Sequence, residues 1–270
     1  MDMKVNIAGV EWKNPVTVAS GTFGSGEEFS EVYGGMMNAI GLQNPGIDLF
    51  CKRDIPFLKK YDTKIIVNVC GHAPEEYLAV VERLADEPID MMEINISCPN
   101  VNAGFLAFGQ DAKHVEELTA QIKKIAKQPI IMKLTPNVTD ITEIAKAAET
   151  GGADALSLIN TLTGMKIDIN RRTFAVANKT GGVSGPVVHP IAVRMVYQTA
   201  QAVNIPIIGM GGIATPEDAI EMILAGASAV SVGTANFYNP NATIEIIDGI
   251  EAYMKKNGFE SVKDMVGIVK

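Results

Sequence analysis

The chain has 270 residues, 47% of them hydrophobic and 20% charged, a balance that provides for a large buried core and excludes a disordered protein. Its net charge of −8 excludes bulk attraction to polyanions, so we expect no binding of nucleic acid or of an anionic membrane surface. Three cysteines without paired spacing, no leader sequence and no apolar run of ~20 residues favour a soluble cytoplasmic protein with neither disulfides nor membrane spans.

Short β-branched runs alternate with amphipathic stretches along the chain. The predicted strands are Val16–Ala19, Lys64–Val69, Met91–Ile96, Ile130–Leu134, Ala155–Ile159, Ile207–Met210 and Ala229–Val232. The predicted helices are Pro74–Ala85, Asp111–Ala126, Asp140–Thr150, Ile191–Ala202, Pro216–Ala225 and Ile244–Lys256. Strands separated by helices of about 10–15 residues indicate βαβ units and a parallel sheet. The nearly continuous apolar strands are typical of a sheet that is buried on both faces.

These elements predict an α/β fold, a TIM barrel that spans residues 1–270 as a single domain. A Rossmann fold is disfavoured because no GxGxxG fingerprint follows the first strand. Polar and glycine-rich motifs instead follow many of the strands, at the end of a barrel where active sites are built. Only seven strands can be counted, so an eight-stranded barrel lacks one.

Two glycine-rich turns follow the last two predicted strands, which lead into Gly211-Gly212 and Gly233-Thr234. Loops after strands seven and eight form the common phosphate site of TIM barrels, because backbone N–H groups can approach the anion there. Each motif alone fits a tight turn between strand and helix equally well. The two together, in this order, favour a phosphate site.

Cys98 follows the strand Met91–Ile96 and lies between two asparagines, Asn95 and Asn100. A lone cysteine is most often a small buried hydrophobe. However, burying several amides without a ligand is costly, and a thiolate beyond a strand end can take a proton from carbon. The spacing leaves both interpretations open, and the second makes Cys98 a general base over a planar polar ligand.

Polar side chains also interrupt several apolar strands. Lys133 ends one strand near the predicted barrel mouth, where it is either a snorkelling lysine or a donor to a flavin. Asn68 and Asn160 lie in or at the end of two others. Because an amide donates and accepts at once, a ring of amides can bind the imide edge of a pyrimidine or of an isoalloxazine.

The three histidines, His72, His114 and His189, show no metal-ligand spacing with each other or with the cysteines. We therefore expect them at surface or loop positions. No metal site is predicted from the sequence.

Motifs spread over nearly the whole chain resemble the class 1 dihydroorotate dehydrogenases, and the class 1B catalytic subunit in particular. The matching stretches are Ala19–Gly24, Asn38–Gly46, Asn95–Val101, Lys133–Asp140, Ser157–Thr161, Gly181–Pro186, Gly209–Ile213 and Gly233–Phe237. The cysteine at position 98 resembles the class 1 pattern, because the membrane-associated class 2 enzymes have a serine at this position. The resemblance implies a barrel that oxidises dihydroorotate to orotate in pyrimidine biosynthesis.

The resemblance also implies FMN as the cofactor and assigns residues to each ligand. The implied FMN-binding residues are Ser20, Asn68, Asn95, Lys133, Ile159, Gly185, Gly211, Gly212, Gly233 and Thr234, of which the last four would hold the phosphate. The implied substrate-binding residues are Asn38, Ala39, Ile40, Gly41, Leu42, Asn95, Asn100, Asn160 and Thr161. Cys98 would be the catalytic base.

A partner protein is implied as well. Class 1B catalytic subunits pair with an electron-transfer subunit that holds FAD and a 2Fe-2S cluster and passes electrons to NAD. The resemblance therefore implies a homodimer at the core of a heterotetramer. FAD and the iron–sulfur cluster are expected only in the partner subunit.

The chain departs from the class 1B pattern in two places. Asn102–Phe105 stand where Lys-x-Gly-Gly is usual, and Tyr33 runs almost directly into the Asn38 motif, where a second strand and a lysine that touches FMN and substrate are expected. About 30 residues, one βα unit, are missing by barrel arithmetic. We expect a barrel that closes with seven strands, recruits a substitute or stays open beside Val16–Ala19, with weakened flavin binding and turnover. Two alternatives stay open: another FMN-dependent dihydropyrimidine-type oxidoreductase, or an inactive barrel.

Overall fold

The computed structural model describes residues 1–20, 29–32, 34–41, 43–97 and 108–269, with the backbone alone for 29–32 and 108. In chain order the strands are β1 (Val5–Ile7), β2 (Val10–Trp12), β3 (Val16–Val18), β4 (Phe29–Val32), β5 (Gly35–Asn38), β6 (Ile66–Val69), β7 (Met91–Asn95), β8 (Ile130–Lys133), β9 (Ala155–Leu158), β10 (Leu162–Met165), β11 (Ile167–Asp168), β12 (Thr173–Phe174), β13 (Thr180–Ser184), β14 (Ile207–Met210) and β15 (Ala229–Val232). The α-helices are α1 (Ile47–Leu49), α2 (Ile55–Leu58), α3 (Pro74–Leu84), α4 (Ala112–Ile125), α5 (Ile141–Thr150), α6 (His189–Ala200), α7 (Pro216–Ala225), α8 (Ala235–Tyr238) and α9 (Ala242–Asn257). A π-helical turn covers Phe50–Asp54, and 3₁₀ turns cover Phe108–Gln110, Pro186–Val188 and Val262–Met265.

A curled sheet of seven parallel strands forms the centre of the fold. Its spatial order is β3-β15-β14-β9-β8-β7-β6. Six of the strands follow one another in chain order, and β3 joins the last of them through the pairing of Val16 with Val230. All seven predicted strands are present, with ends that differ by at most two residues, so the predicted α/β barrel class is confirmed.

The six predicted helices are also present, and capping explains where they begin. The helices α4 and α5 each start one residue later than predicted, because Asp111 and Asp140 lie at the N-cap positions. Their carboxylates accept hydrogen bonds from the backbone amides of His114 and Thr142. The helix α6 begins two residues earlier than predicted, at His189, because a 3₁₀ turn leads straight into it.

The hydrophobic core lies against the central sheet. Every residue of β7, β8, β9, β14 and β15 is buried, as the continuous apolar strands predict. The helices contribute fully buried side chains such as Val81, Ile122 and Ile223. Burying each such side chain stabilises the fold by roughly 1.5–3 kcal/mol.

None of the described helices combines the length and the hydrophobicity that crossing a bilayer requires.

A second sheet is antiparallel and has the strand order β10-β13-β5-β4. Asn38 of β5 pairs with Gly182 of β13, and Leu162 of β10 pairs with Val183 of the same strand. These strands were not predicted from the sequence, because they are short, carry glycines and are only partly buried. This sheet places residues such as Met36 beside the carboxyl ends of the central strands.

The central sheet is open between β3 and β6. These two strands are its edges, and within the described residues neither pairs with a further strand. Val18 on β3 is 44% exposed, as expected for an edge. The open position corresponds to the second strand of an eight-stranded barrel, so the predicted lack of that unit is confirmed for the part of the chain that is described. An open edge leaves backbone N–H and C=O groups available for pairing.

Candidate active site

A cavity of about 780 Å³ lies at the carboxyl ends of the central strands and reaches the second sheet. This volume is within the usual range of cofactor pockets, ~300–1,000 Å³. The cavity also reaches the open side of the sheet, where Ile66 and Val67 of β6 line it. The predicted site residues that line it are Ser20, Asn38, Ile40, Gly41, Asn68, Asn95, Lys133, Ile159, Asn160, Thr161, Gly185, Gly211, Gly212, Gly233 and Thr234.

Four predicted site residues do not line this cavity or cannot be located. Ala39 is buried in the small core beneath the second sheet with Met37. Its side chain therefore packs within the protein, while its neighbours in the chain line the cavity. Leu42, Cys98 and Asn100 lie outside the described residues. Their predicted roles stay predictions.

A buried ion pair lies at the centre of the site. Lys133 is 3% exposed, and its Nζ is 3.5 Å from Oε2 of Glu93, which is 8% exposed. Lys133 also donates to Oγ of Ser20 at 2.9 Å. Glu93 accepts from the amide of Asn68 at 2.5 Å and from Oγ of Ser157 at 2.7 Å. Lys133 is thus a paired, buried cation and not a snorkelling lysine.

Amide side chains form a connected network beside this pair. The Asn95 amide donates to Oδ1 of Asn68 at 3.3 Å, and its own Oδ1 accepts from Oγ of Ser97 at 2.7 Å. The Asn160 amide then donates to Oγ of Ser97 at 2.6 Å. The hydroxyl of Tyr77 donates to the Asn95 carbonyl at 2.9 Å and fixes the end of β7. The predicted ring of amides therefore includes Asn68, Asn95 and Asn160, joined by a serine.

The glycine turns after β14 and β15 are held in different ways. Gly211 and Gly212 have φ of +125° and +73°, which L side chains rarely adopt. A Cβ on Gly212 would lie 2.8 Å from the Gly185 carbonyl oxygen and 2.9 Å from the His189 amide nitrogen. The second turn is held by Thr234, whose Oγ1 donates to Oγ of Ser184 at 2.8 Å. Both turns bring backbone to the same side of the cavity, as a phosphate site requires.

His189 is buried, so its predicted surface or loop position is wrong. The side chain is 10% exposed at the start of α6, while His72 and His114 are exposed as predicted. Its Nδ1 is 2.9 Å from the carbonyl oxygen of Gly211, and its Nε2 is 3.2 Å from Oε2 of Glu221. The prediction failed because these partners are distant in the sequence and because a Pro follows the histidine, as in many loops.

Tyr238 lies at the rim of the cavity. Partial burial raises the pKa of its phenol, and the Asp218 carboxylate raises it further. The phenol is therefore neutral near pH 7 and adds no negative charge beside the glycine turns.

The residues present suit a polar, planar ring that carries a phosphate tail. Lys133, Asn68 and Asn95 offer hydrogen-bond donors at the bottom of the cavity, and Ile159 provides an apolar surface. The two glycine turns lie among the same lining residues. Among the described residues, no three His, Cys, Asp or Glu side chains come close enough to form a metal site.

Comparison with known proteins gives the family. The family model for dihydroorotate dehydrogenase matches residues 29–254. The chain is 60% identical over 300 aligned positions to the dihydroorotate dehydrogenase B (NAD(+)) catalytic subunit of Lachnoclostridium phytofermentans, with 100% of both chains covered. It is 56% identical over 297 positions to the subunit of the same name from Alkaliphilus metalliredigens, with 99% of this chain and 98% of that one covered. The chain belongs to the dihydroorotate dehydrogenase family.

Membership of the dihydroorotate dehydrogenase family confirms the resemblance to the class 1B catalytic subunit. It also confirms the prediction of an FMN-dependent oxidoreductase of pyrimidine biosynthesis. The first alignment has 300 positions and covers all 270 residues, so at least 300 − 270 = 30 positions of it hold no residue of this chain. That number matches the one βα unit expected to be missing and the open edge between β3 and β6.

Glu93, Ser97 and Ser157 were not predicted to belong to the site. A signal for Glu93 was available, because it is the one charged residue in the apolar strand Met91–Asn95 and lies two residues before Asn95. Residues two apart point to the same face of a strand, so Glu93 and Asn95 had to share a face. The two serines carry a weaker signal, because serine is small and uncharged and can be buried at little cost when it finds one hydrogen-bond partner.

Proposed function

We propose that this chain binds FMN in the cavity at the strand ends and oxidises dihydroorotate to orotate. The observation that carries the proposal is the cluster of buried Glu93, Asn95 and Lys133 with the half-buried Asn68, in the same cavity as two glycine turns. Within the described residues, Lys133, Asn68 and Asn95 each donate fewer hydrogen bonds to the protein than they have N–H groups, so each can donate one more to a polar ligand in the cavity. The names of the relatives, which are dihydroorotate dehydrogenase B catalytic subunits, support the substrate.

The residues that would hold FMN fall into two groups. Ser20, Asn68, Asn95 and Lys133 would bind the polar edge of the ring, and Ile159 and Gly185 would line its sides. Gly211, Gly212, Gly233 and Thr234 would hold the phosphate through backbone N–H groups. When bound, FMN supplies the acceptor for the hydride that leaves C6 of dihydroorotate.

The chain itself positions the substrate and moves one proton. Asn95 and Asn160, linked through Ser97, present amide groups that suit the imide edge of dihydroorotate. Asn38 and Thr161 line the same cavity from the second sheet and the turn before it. The remaining proposed contacts are Ala39, Ile40, Gly41, Leu42 and Asn100. Cys98 takes the proton from C5, as a positioned base that contributes roughly 10²–10⁴-fold to the rate.

Electrons leave this chain through a second protein. The relatives are named catalytic subunits, which supports a partner subunit. We assign FAD and a 2Fe-2S cluster to that partner and propose NAD as the final acceptor, because the sequence has neither a dinucleotide fingerprint nor a cysteine cluster. The proposed assembly is a heterotetramer around a homodimer of this chain, in the cytoplasm.

A second candidate is a flavin-binding barrel that turns over weakly or not at all. The open edge between β3 and β6 and the 30 unoccupied alignment positions favour it. The lysine expected to touch both FMN and substrate falls in that missing unit. The loss of one barrel wall also exposes part of the cavity lining, so flavin affinity is expected to be lower than in a closed barrel.

One experiment separates these functions. The purified protein is saturated with FMN and titrated anaerobically with dihydroorotate while the flavin absorbance is followed, with dihydrouracil as the matched control. Bleaching by dihydroorotate alone supports the proposal, and bleaching by dihydrouracil alone indicates another dihydropyrimidine enzyme. A flavin that binds and is not reduced by either supports the inactive barrel. Mass analysis of the bound cofactor should give FMN. Finding FAD would contradict the proposed FMN site in this cavity.

A further inference from the structure

We propose that the gap between β3 and β6, the strand slot, binds an extended segment of a second polypeptide. The bound segment completes the central sheet as its eighth strand and closes the wall of the cavity. This inference goes beyond the proposed function, because it concerns a polypeptide partner and its first tests need no flavin.

The strand slot is part of the cavity at the strand ends. Thr17 and Val18 of β3 line the cavity on one side of the gap, and Ile66 and Val67 of β6 line it on the other. Every residue of the five inner strands is buried, whereas Val18 is exposed and Ile66 is only half-buried. Within the described part of the chain, both edge strands therefore face open space.

The edge strand β3 directs backbone groups into the slot. The Pro15 carbonyl accepts from β15, and the Ala19 amide donates to it. Successive residues of a parallel strand bond to opposite sides, so the backbone of Val16 and Val18 faces the slot. The Val16 amide donates to the Asn14 side chain at 2.9 Å, which leaves the Val16 carbonyl and both groups of Val18 for a new partner.

The edge strand β6 does the same from the other side. The Ile65 carbonyl accepts from the Met91 amide of β7 at 3.3 Å. By the same alternation, the backbone of Ile66 and of Asn68 faces the slot. Because both edge strands run in the same direction, a single strand parallel to them can pair with each, as in β-augmentation.

The remaining walls of the slot are apolar. Ile47, Phe50 and Leu58, which follow β5 in the chain, line the same cavity as the two edge strands, and so does Val80 of α3. An entering strand would bury apolar side chains against these walls while its backbone pairs with the edges. A small apolar molecule could fill the space but could not pair with the backbone groups. The occupant that fits both features is a polypeptide.

The alignment with the Lachnoclostridium relative indicates where this occupant comes from. At least 30 of its 300 positions hold no residue of this chain, about one βα unit. At 60% identity, the walls of the slot are related to those of a barrel that has such a unit. A second copy of this chain is a poorer source, because each of its described central strands is already paired in its own sheet.

The first test is a binding measurement on the cofactor-free, full-length protein. The probe is a fluorescently labelled synthetic peptide with the sequence that the Lachnoclostridium relative has at those unoccupied positions. A peptide of the same composition in scrambled order is the control. We expect the anisotropy of the first peptide to rise to saturation as protein is added, and that of the scrambled peptide to stay unchanged.

Two variants at Val18 test the backbone pairing. Proline is tolerated in an edge strand where the N–H is unpaired, so Val18→Pro should fold and keep its pairing with β15, which circular dichroism checks. It removes one donor that faces the slot and should weaken peptide binding about 10-fold, the effect of leaving one buried acceptor unpaired. Val18→Ala is the matched control, because it shortens the side chain and keeps the donor. Its loss of affinity should be clearly smaller.

Amide hydrogen exchange of the parent, followed by NMR, provides a test that needs no variant. The peptide should slow exchange at Val18, Ile66 and Asn68, whose backbone faces the slot. The amides of Thr17 and Val67 face the neighbouring strands and should change little. This alternating pattern distinguishes a paired strand from a peptide that only adheres to the apolar walls.

A last measurement rests on the proposed function. Because the slot and the proposed FMN site share one cavity, saturating peptide should tighten FMN binding about 10-fold, as measured by quenching of flavin fluorescence. An unchanged FMN affinity would refute the closed wall. A protein that binds the peptide and no FMN, with or without it, would refute the proposed function, and the peptide results would then decide on the slot by themselves.

Several results would overturn the strand slot itself. They are the absence of saturable peptide binding, equal binding of the scrambled peptide, or equal losses for the two Val18 variants. Slow exchange at Val18 and Ile66 without peptide, at every protein concentration, would mean that this chain fills its own slot. Slow exchange that appears only as the protein concentration rises would identify a second copy as the occupant.

Discussion

The pairing of Lys133 with Glu93 gives the most quantitative prediction. At 3.5 Å and an effective dielectric constant of about 20, two unit charges attract by about 5 kcal/mol. Desolvation offsets much of this, because both residues are less than a tenth exposed. Removing one partner, however, leaves an uncompensated buried charge. We therefore expect Lys133→Met to lower the free energy of unfolding by roughly 3–5 kcal/mol.

Glu93→Gln should be destabilising for an additional reason. The carboxylate accepts from Asn68 on one oxygen and from Ser157 on the other, whereas glutamine has a single acceptor oxygen. One of these donors then faces an NH₂ group and loses its hydrogen bond. The double variant with Lys133→Met removes both charges together, so it should be more stable than the sum of the two losses by roughly 0.5–3 kcal/mol.

The assay is urea unfolding of the cofactor-free protein, followed by far-UV circular dichroism, for the four members of this cycle. Cofactor-free protein is needed because bound flavin would add its own stabilisation. A coupling below about 0.5 kcal/mol would refute the ion pair, because independent sites add within that margin. A Lys133→Met variant as stable as the parent would refute the buried, paired charge.

Four further predictions concern the turns, the caps and the base. Gly212→Ala should lower the free energy of unfolding by clearly more than the ~1–2 kcal/mol expected from its positive φ, because the added Cβ would lie within 2.9 Å of backbone atoms. Gly258→Ala is the control, since Gly258 has a φ of +77° and open space around it, so this variant should lose only the ~1–2 kcal/mol that the positive φ costs. Thr215→Ala breaks the capping box of α7 and should cost about 1 kcal/mol in urea unfolding. Hydrogen bonds from the hydroxyl and the backbone amide of Thr142 lower the pKa of the Asp140 carboxyl group. Its contribution to stability is therefore present above about pH 4 and is lost as the pH falls through the lowered pKa. Between pH 7 and pH 3, the melting temperature of Asp140→Asn should fall less than that of the parent. Cys98→Ser should slow flavin reduction by dihydroorotate about 100-fold or more in stopped-flow measurements and leave orotate binding nearly unchanged.

Each of these has a result that would contradict it. Equal losses for the two glycine variants would mean that the close packing around Gly212 does not matter. A Thr215→Ala variant as stable as the parent would show that the hydroxyl contributes nothing to the cap. An Asp140→Asn protein with the acid sensitivity of the parent would remove that carboxylate from the titration. Flavin reduction at the parent rate in the serine variant would exclude Cys98 as the base.

The central sheet could be predicted because its strands are apolar on both faces. Runs such as Ile130–Lys133 and Ala155–Leu158 leave no alternative to burial, and the helices between them set the parallel order. The second sheet could not be predicted in this way. Its strand Thr180–Ser184 has two glycines and mixed burial, and its pairing with Gly35–Asn38 joins residues more than 140 positions apart.

The site could be predicted where residue type alone limits the environment. A lysine or asparagine at the end of an apolar strand needs a hydrogen-bond partner. In the cavity, the Asn95 amide donates to Asn68 and Lys133 donates to Ser20. His189 was missed because its partners are brought near only by the fold, whereas Glu93 was missed although its charge within an apolar strand was a signal. His189 contacts residues 22 and 32 positions away, and Glu93 contacts one 64 positions away.

Because the central sheet is open between β3 and β6, its strands have a first and a last member in space, and this spatial order does not begin where the chain begins. Segments near the beginning and the end of the described chain already pair, since the Asp2 amide donates to the Glu260 carbonyl at 2.8 Å. A circular permutant that joins residue 270 to residue 1 by a linker and begins at residue 43 would run through the central strands in their spatial order, from β6 to β3. In a complete eight-stranded ring every starting point is equivalent, because each strand has two neighbours. In this chain the gap singles out one natural starting point, and it lies in the interior of the sequence.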